Sequence, residues 1–219
     1  VSFIGVFQPF SDMFKLFFKE FFLLNYFNFF IYLFFPILSF TLMMLIYIVL
    51  PFDNMNLYFN FSILFMLCCL MMNVFFILLM SWSSNSKYSY LSSIRMVAQM
   101  ISYEVSMFIY LMCFILLLNS MSFLDLIKNQ KYLWLLFMLI MVFIILFIIF
   151  LSELNRIPFD FMEGESELVS GFNIEYGSGM FAMIFIFEYL NILFLSLIMI
   201  ILFMSGEIYN LFSYLKFFM

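Results

Sequence analysis

Five apolar runs, each long enough to cross a bilayer, constrain this chain more than any other feature. They cover approximately 28–50, 61–80, 97–118, 132–151 and 180–204. A helix rises about 1.5 Å per residue, so 20 to 25 residues reach about 30–38 Å, the thickness of the hydrocarbon core with some tilt. The rest of the composition agrees. Of 219 residues 68% are hydrophobic and only 10% are charged, and the mean hydropathy is +1.21. A soluble domain holds about 45–50% apolar residues and about 25% charged ones. Disorder needs low hydrophobicity and high net charge. The expected fold is therefore all-α: a polytopic membrane protein of about five transmembrane helices. A net charge of -5 gives no electrostatic basis for binding nucleic acid.

Phe occurs 38 times and Met 21 times, against six Gly, four Pro and no His. The only alanines are Ala98 and Ala182, and the only arginines Arg95 and Arg156. Phe, Ile, Met, Asn and Tyr have AT-rich codons, whereas Gly, Ala, Arg and Pro have GC-rich ones. The bias points to an AT-rich genome, most simply an organellar one. The chain shows neither an Arg-rich presequence nor a signal-peptide pattern, as expected of a protein made inside the organelle. Cys68, Cys69 and Cys113 all lie in apolar runs and read as buried hydrophobes. With no Cys-x-x-Cys pair and no His, the sequence offers no metal site, haem ligand or nucleophilic triad. No redox centre is expected in this chain.

The stretch 1–27 reads as an amphipathic helix lying in the membrane interface. Asp12, Lys15 and Lys19 share one helical face, and Phe10, Phe14, Phe17, Phe18 and Phe21 the other, with Pro9 in the first turn. The tail 205–219 is a weaker candidate of the same kind. Pro36 falls inside the first span and is expected to kink it. Lys15, Lys19, Lys87, Arg95 and Arg156 fall on one side of the membrane, and Lys128, Lys131 and Lys216 on the other. That asymmetry only leans toward an orientation.

The connection 152–179 differs from everything around it. It holds Glu153, Asp160, Glu163, Glu165, Glu167 and Glu175 against the single base Arg156. The seven acids and seven bases elsewhere cancel, so this segment carries the whole net charge. Gly164, Gly171, Gly177 and Gly179 lie in it or at its edge, which implies tight turns or close backbone approach. Phe159, Phe161, Leu168, Val169, Phe172 and Ile174 are interleaved with the acids. A freely solvated loop would not need them. The expectation is a folded cap whose carboxylates line a partly buried cavity, with Glu163, Glu165 and Glu167 titrating as a coupled set.

Glu104 and Glu188 lie about 10–12 Å into their spans at about 1.5 Å per residue. An ionisable group at that depth costs about 2.5–3.5 kcal/mol and marks function by default. Arg95, Gln99, Ser102, Tyr103 and Ser106 share an arc of about 100° on the third span, and Glu104 points away from it.

The loop from Ser152 to Tyr176 closely resembles the long acidic loop of the first membrane subunit of complex I, NADH:ubiquinone oxidoreductase. Gln8–Glu20, Arg95–Glu104 and Phe187–Tyr189 resemble that family too, colinearly over the whole chain. The resemblance implies a mitochondrial inner-membrane subunit with its acidic loop facing the matrix. Such a subunit forms part of the ubiquinone tunnel and the start of the proton-coupling path. It implies proton-path roles for Glu104, Glu153, Glu163, Glu165, Glu167 and Glu188. It places Arg95, Arg156, Asp160, Phe181 and Phe185 at the quinone tunnel. Ubiquinone enters as substrate, with lipids around the spans and no cofactor held by the chain. Implied partners are the quinone-reducing peripheral-arm subunits and small membrane subunits. Family members have one more span before this sequence and about two after it, so separate chains of a split subunit are expected to supply them; the alternative is trimming at both ends. A stand-alone proton-coupled carrier also suits intramembrane acids, but carriers show internal repeats and none is visible. A purely structural anchor would leave the acids idle.

Overall fold

The computed structural model describes residues 5, 7–20, 27–51, 59–130, 134–160 and 171–204. All regular structure among them is helical. Helix α1 is Gln8–Phe18, α2 Phe29–Ile46 (followed by a 3-10 turn, Tyr47–Val49), α3 Ser62–Ser83 and α4 Lys87–Leu118. Then come α5 Phe123–Asn129, α6 Leu135–Met138, α7 Ile140–Glu153, a 3-10 turn Gly171–Glu175, and α8 Ser178–Phe203. Four helices are long and apolar enough to cross a membrane, Phe29–Val49, Ser62–Ser83, Lys87–Leu117 and Ser178–Phe203, with Ile140–Glu153 a shorter apolar one. The all-α polytopic expectation is borne out. The tail 205–219 lies outside the described residues.

Of the stretch 1–27, α1 occupies Gln8–Phe18, with Pro9 in its first turn. Its Phe10, Phe14, Phe17 and Phe18 are exposed. It ends where Lys19 turns extended. In α2, Pro36 sits inside a continuous helix, and the Ser39 hydroxyl donates to its carbonyl at 2.9 Å.

Helix α4 runs ten residues farther toward the N-terminus than the expected span 97–118. Its 32 residues reach about 48 Å. The added turns are serine-rich, which lowers their hydropathy, yet those serines are buried against α3. The Ser81 hydroxyl donates to Ser93 at 2.6 Å and the Ser84 hydroxyl to Ser89 at 3.2 Å. Small side chains let the two helices approach closely and bond across the seam.

The expected span 132–151 is divided. Leu139, at φ -119° and ψ 39°, separates α6 from α7, and no proline or glycine marks the break in the sequence. The connection before it contains α5, which was not expected. Ser122 caps it by accepting from the Asp125 amide, a signal present in the sequence. The Phe123 amide donates to Ser62 at 2.9 Å, tying α5 to the start of α3. The Gln130 side chain donates to the Leu202 carbonyl at 2.7 Å, in the last turn of α8, where carbonyls lack helical partners.

Two apolar clusters hold the bundle. The larger joins α2, α3, α4, α5, α7 and α8 through Met43, Ile63, Leu111, Phe123, Leu146 and Phe194. There the Phe203 ring meets Phe114 and Phe143 edge-on, at 5.4 and 5.1 Å. The smaller cluster gathers Tyr32, Ile77, Met80, Met96, Met100 and Ile184. Phe30, Leu116 and Met141 stay 84%, 75% and 71% exposed. Such outward apolar side chains suit contact with lipid or neighbouring helices.

Three helices end on asparagine in the left-handed region: Asn85, Asn119 and Asn155, with φ of 54°, 54° and 50°. In a chain so poor in glycine, Asn takes the C-terminal role usually filled by Gly. Asn119→Gly is expected to leave thermal stability unchanged or slightly raised, whereas Asn119→Ile costs about 1–2 kcal/mol; melting of the detergent-solubilised protein checks both.

Candidate functional site

The chain at the end of α7 folds into a compact turn rather than a free loop. Asn155 adopts a left-handed conformation, and the Asn155 amide donates to the Ser152 carbonyl at 3.2 Å. The Arg156 amide donates to Leu151 at 3.1 Å and the Phe159 amide to Arg156 at 2.7 Å. The Ile157–Pro158 bond inside this turn is cis. Helix α4 lies against it. The Phe159 ring meets Tyr103 edge-on at 5.5 Å. The Gln99 side-chain nitrogen donates to the carbonyls of Ser152 and Phe159 at 2.9 and 3.0 Å.

Between this turn and α8 lies a cavity of about 440 Å³. Glu153, Arg156 and Asp160 line it from the turn, and Phe185, Glu188 and Asn191 from α8. Ile77, Met96 and Met100 close it with apolar side chains. Glu188 stands about 15 Å along α8 from Ser178 at about 1.5 Å per residue, so the cavity reaches well into the membrane-spanning layer. Three acids and one arginine thus share one partly apolar chamber.

Several buried polar atoms around it have no hydrogen-bond partner among the described residues. They are both carboxylate oxygens of Glu153, Oε1 of Glu104 and of Gln99, and Oδ1 of Asn155 and Asn191. Buried polar groups are normally satisfied, and clusters of exceptions are places to look for function. Glu153 is 1% exposed and Glu104 5%. The Glu104 carboxylate lies close enough to Glu153 to act on it electrostatically.

Of the residues named from sequence, Glu153, Arg156, Asp160, Phe185 and Glu188 meet at the cavity. Phe181 lies one turn before Phe185, with ring centroids 4.4 Å apart, and is not part of the cavity wall. Glu104 is buried behind the wall next to Glu153. Arg95 is exposed on α4 and is not part of the cavity wall. Glu163, Glu165 and Glu167 lie outside the described residues, as do Phe161, Leu168 and Val169. Sequence reasoning missed Asn155, Tyr189 and Asn191. Asn191 had a signal: it follows Glu188 by one helical turn in an otherwise apolar span.

The far end of the acidic connection is clasped to the bundle by two tyrosines. The rings of Tyr32 and Tyr176 stack at 4.3 Å and 2°. The Tyr32 hydroxyl donates to the Glu175 carbonyl at 2.8 Å. The Tyr176 hydroxyl donates to the Met80 carbonyl at 3.0 Å and lies 3.2 Å from the Ser83 hydroxyl. Burial pushes the Tyr176 phenol well up, with the Ser83 hydrogen bond opposing it. Of the glycines expected to turn here, Gly171 has φ of 57°, whereas at the start of α8 the positive φ falls on Ser178 rather than Gly177.

Fold and site together define a multi-span helical membrane protein with a charged chamber buried between its spans. A sequence model of the family described as NADH dehydrogenase matches residues 1–219. The NADH-ubiquinone oxidoreductase chain 1 of Anopheles gambiae is 44% identical over 218 residues, which is 99% of this chain and 69% of that protein. The chain 1 of Locusta migratoria is 42% identical over 216 residues, again 99% and 69%. That of Metridium senile is 42% identical over 209 residues, 94% and 63%. The chain belongs to the NADH dehydrogenase family, and the resemblance drawn from its motifs is borne out.

Tyr176→Phe removes the bond to Met80 and should cost about 1 kcal/mol. Because the raised phenol favours the neutral form in the folded state, the clasp is fully present below the free tyrosine value of about 10 and weakens as pH rises above it. Hydrogen exchange at residues 171–177 as a function of pH reads both effects.

Proposed function

We propose that this chain is a multi-pass membrane subunit of respiratory complex I in the mitochondrial inner membrane, where it forms part of the ubiquinone tunnel and the first section of the proton-coupling path. The observation that carries the reading is the cavity between the end of α7 and α8, where Glu153, Arg156 and Asp160 face Glu188. Its chemistry suits a quinone head group. Arg156 and Asn191 supply hydrogen-bond donors for carbonyl oxygens, the acids supply protons, and Phe185, Met96 and Met100 supply apolar walls for a ring and its tail. Membership in a family whose relatives are named as NADH-ubiquinone oxidoreductase chains supports it.

On this reading a neighbouring subunit holds the redox centre and delivers electrons to a quinone whose head group enters this cavity, and this chain responds to that reduction. Reduction of the quinone changes the charge in the cavity. The acids nearest to it, Asp160, Glu153 and Glu188, shift their proton occupancy. The Glu163, Glu165 and Glu167 set belongs to the same response. Glu104, buried near Glu153, carries the change onward along α4, because two neighbouring buried acids cannot both hold charge cheaply in a low-dielectric surround. The acidic connection faces the matrix and meets the quinone-reducing peripheral-arm subunits, while the outward apolar faces meet lipid and the small membrane subunits. Arg95 and Phe181 belong to the tunnel beyond the cavity wall, Phe181 supporting Phe185 from the turn before it.

Glu188→Gln in the intact complex should lower NADH:quinone turnover about tenfold or more, at least about 1.4 kcal/mol in the barrier. Arg156→Met should raise the quinone KM. NADH oxidation by a water-soluble acceptor, which takes electrons before the quinone step, should be unchanged in both. Full quinone turnover with normal KM in both variants would contradict the reading.

A further inference from the structure

Gln99 carries no charge and does not touch the cavity, yet it holds the edge on which the cavity's charges stand. It sits on α4 and is 7% exposed. An amide nitrogen has two hydrogens to donate, and here both go to backbone carbonyls: Ser152 at 2.9 Å and Phe159 at 3.0 Å. Between those two carbonyls run Glu153, Leu154, Asn155, Arg156 and Ile157, all in the cavity wall, and Asp160 follows directly. One nitrogen therefore draws together the two ends of the charged segment.

The neighbouring contacts from α4 are weaker and grip one point each. Tyr103 meets the Phe159 ring edge-on, and the Asn155 side-chain nitrogen Nδ2 lies 4.0 Å from the Met100 sulfur. Gln99 bonds the backbone at both ends of the segment. Met and Leu are similar in length but lack donors, and Glu presents an oxygen where the nitrogen stands, setting acceptor against acceptor.

We propose that Gln99 is a positioning residue: its paired hydrogen bonds to Ser152 and Phe159 fix the turn so that Glu153, Arg156 and Asp160 face the quinone head group in one arrangement. This rests on the reading of the cavity as a quinone site. Displacing a positioned group by about 1 Å can cost orders of magnitude in rate, so the clamp acts on quinone binding and turnover rather than on the bundle's stability.

The test uses Gln99→Met, Gln99→Glu and Gln99→Asn in the intact complex in native membranes. Gln99→Met and Gln99→Glu are expected to raise the quinone KM several-fold and lower turnover. Gln99→Asn, which keeps both hydrogens on a shorter stem and reaches one carbonyl at a time, should fall between them and the parent. The amount of assembled complex and NADH oxidation by a soluble acceptor should stay at parent levels. Unchanged KM and turnover in Gln99→Met and Gln99→Glu would overturn the proposal. So would loss of the assembled complex in all three, which would make Gln99 a folding residue only. If Arg156→Met and Glu188→Gln are silent as well, the quinone reading of the cavity fails; if they act and the Gln99 variants do not, only the clamp fails.

Discussion

A carboxylate placed in a low-dielectric layer must find a partner, hold a proton or reach water, because leaving it charged and alone costs several kcal/mol. Glu153 is almost fully buried at the end of α7, and neither of its oxygens bonds to a described protein group. Glu104 is buried beside it. The surrounding architecture follows from that constraint. The chain places a hydrogen-bonded turn, a cavity and several amide oxygens without a partner among the described residues in the neighbourhood of these acids. The rest of the bundle is sealed by Phe, Met, Leu and Ile side chains in two apolar clusters.

The two ends of the acidic connection are fastened by different means, and both use backbone carbonyls as anchors. At the start, Gln99 on α4 takes the Ser152 and Phe159 carbonyls. At the end, Tyr176 takes the Met80 carbonyl of α3 while Tyr32 of α2 stacks on it and takes the Glu175 carbonyl. Three helices thus grip the described ends of the segment, and Glu153, Arg156 and Asp160 line the cavity. A hydrogen bond to a carbonyl fixes the main chain without consuming any acidic side chain.

Much of this was legible in the sequence, and the reasons differ by element. Four of the five expected spans followed from length and hydropathy alone. The serine-rich start of α4 did not, because Ser81, Ser84, Ser89 and Ser93 satisfy one another across a helix seam that no single-segment average detects. The break at Leu139 left no trace in residue type. Glu153, Arg156, Asp160 and Glu188 were found because charge is rare in this chain and therefore conspicuous. Arg95 was conspicuous too, but it is exposed and outside the cavity wall. Gln99 was seen as part of a polar arc, while its role depended on a turn that forms far away in sequence. Phe181 and Phe185 could not be told apart among 38 phenylalanines, and only the geometry separates the wall residue from its support.

The central claim is that the cavity between the α7 turn and α8 receives a quinone head group. Photoaffinity labelling with an azido-quinone in native membranes, followed by peptide mapping, tests it most directly. The account predicts label on peptides containing Arg156 to Asp160 and Phe185 to Ile192, reduced by excess unlabelled quinone. Label confined to the outward phenylalanines of α1 and α2, or unaffected by competing quinone, would contradict it.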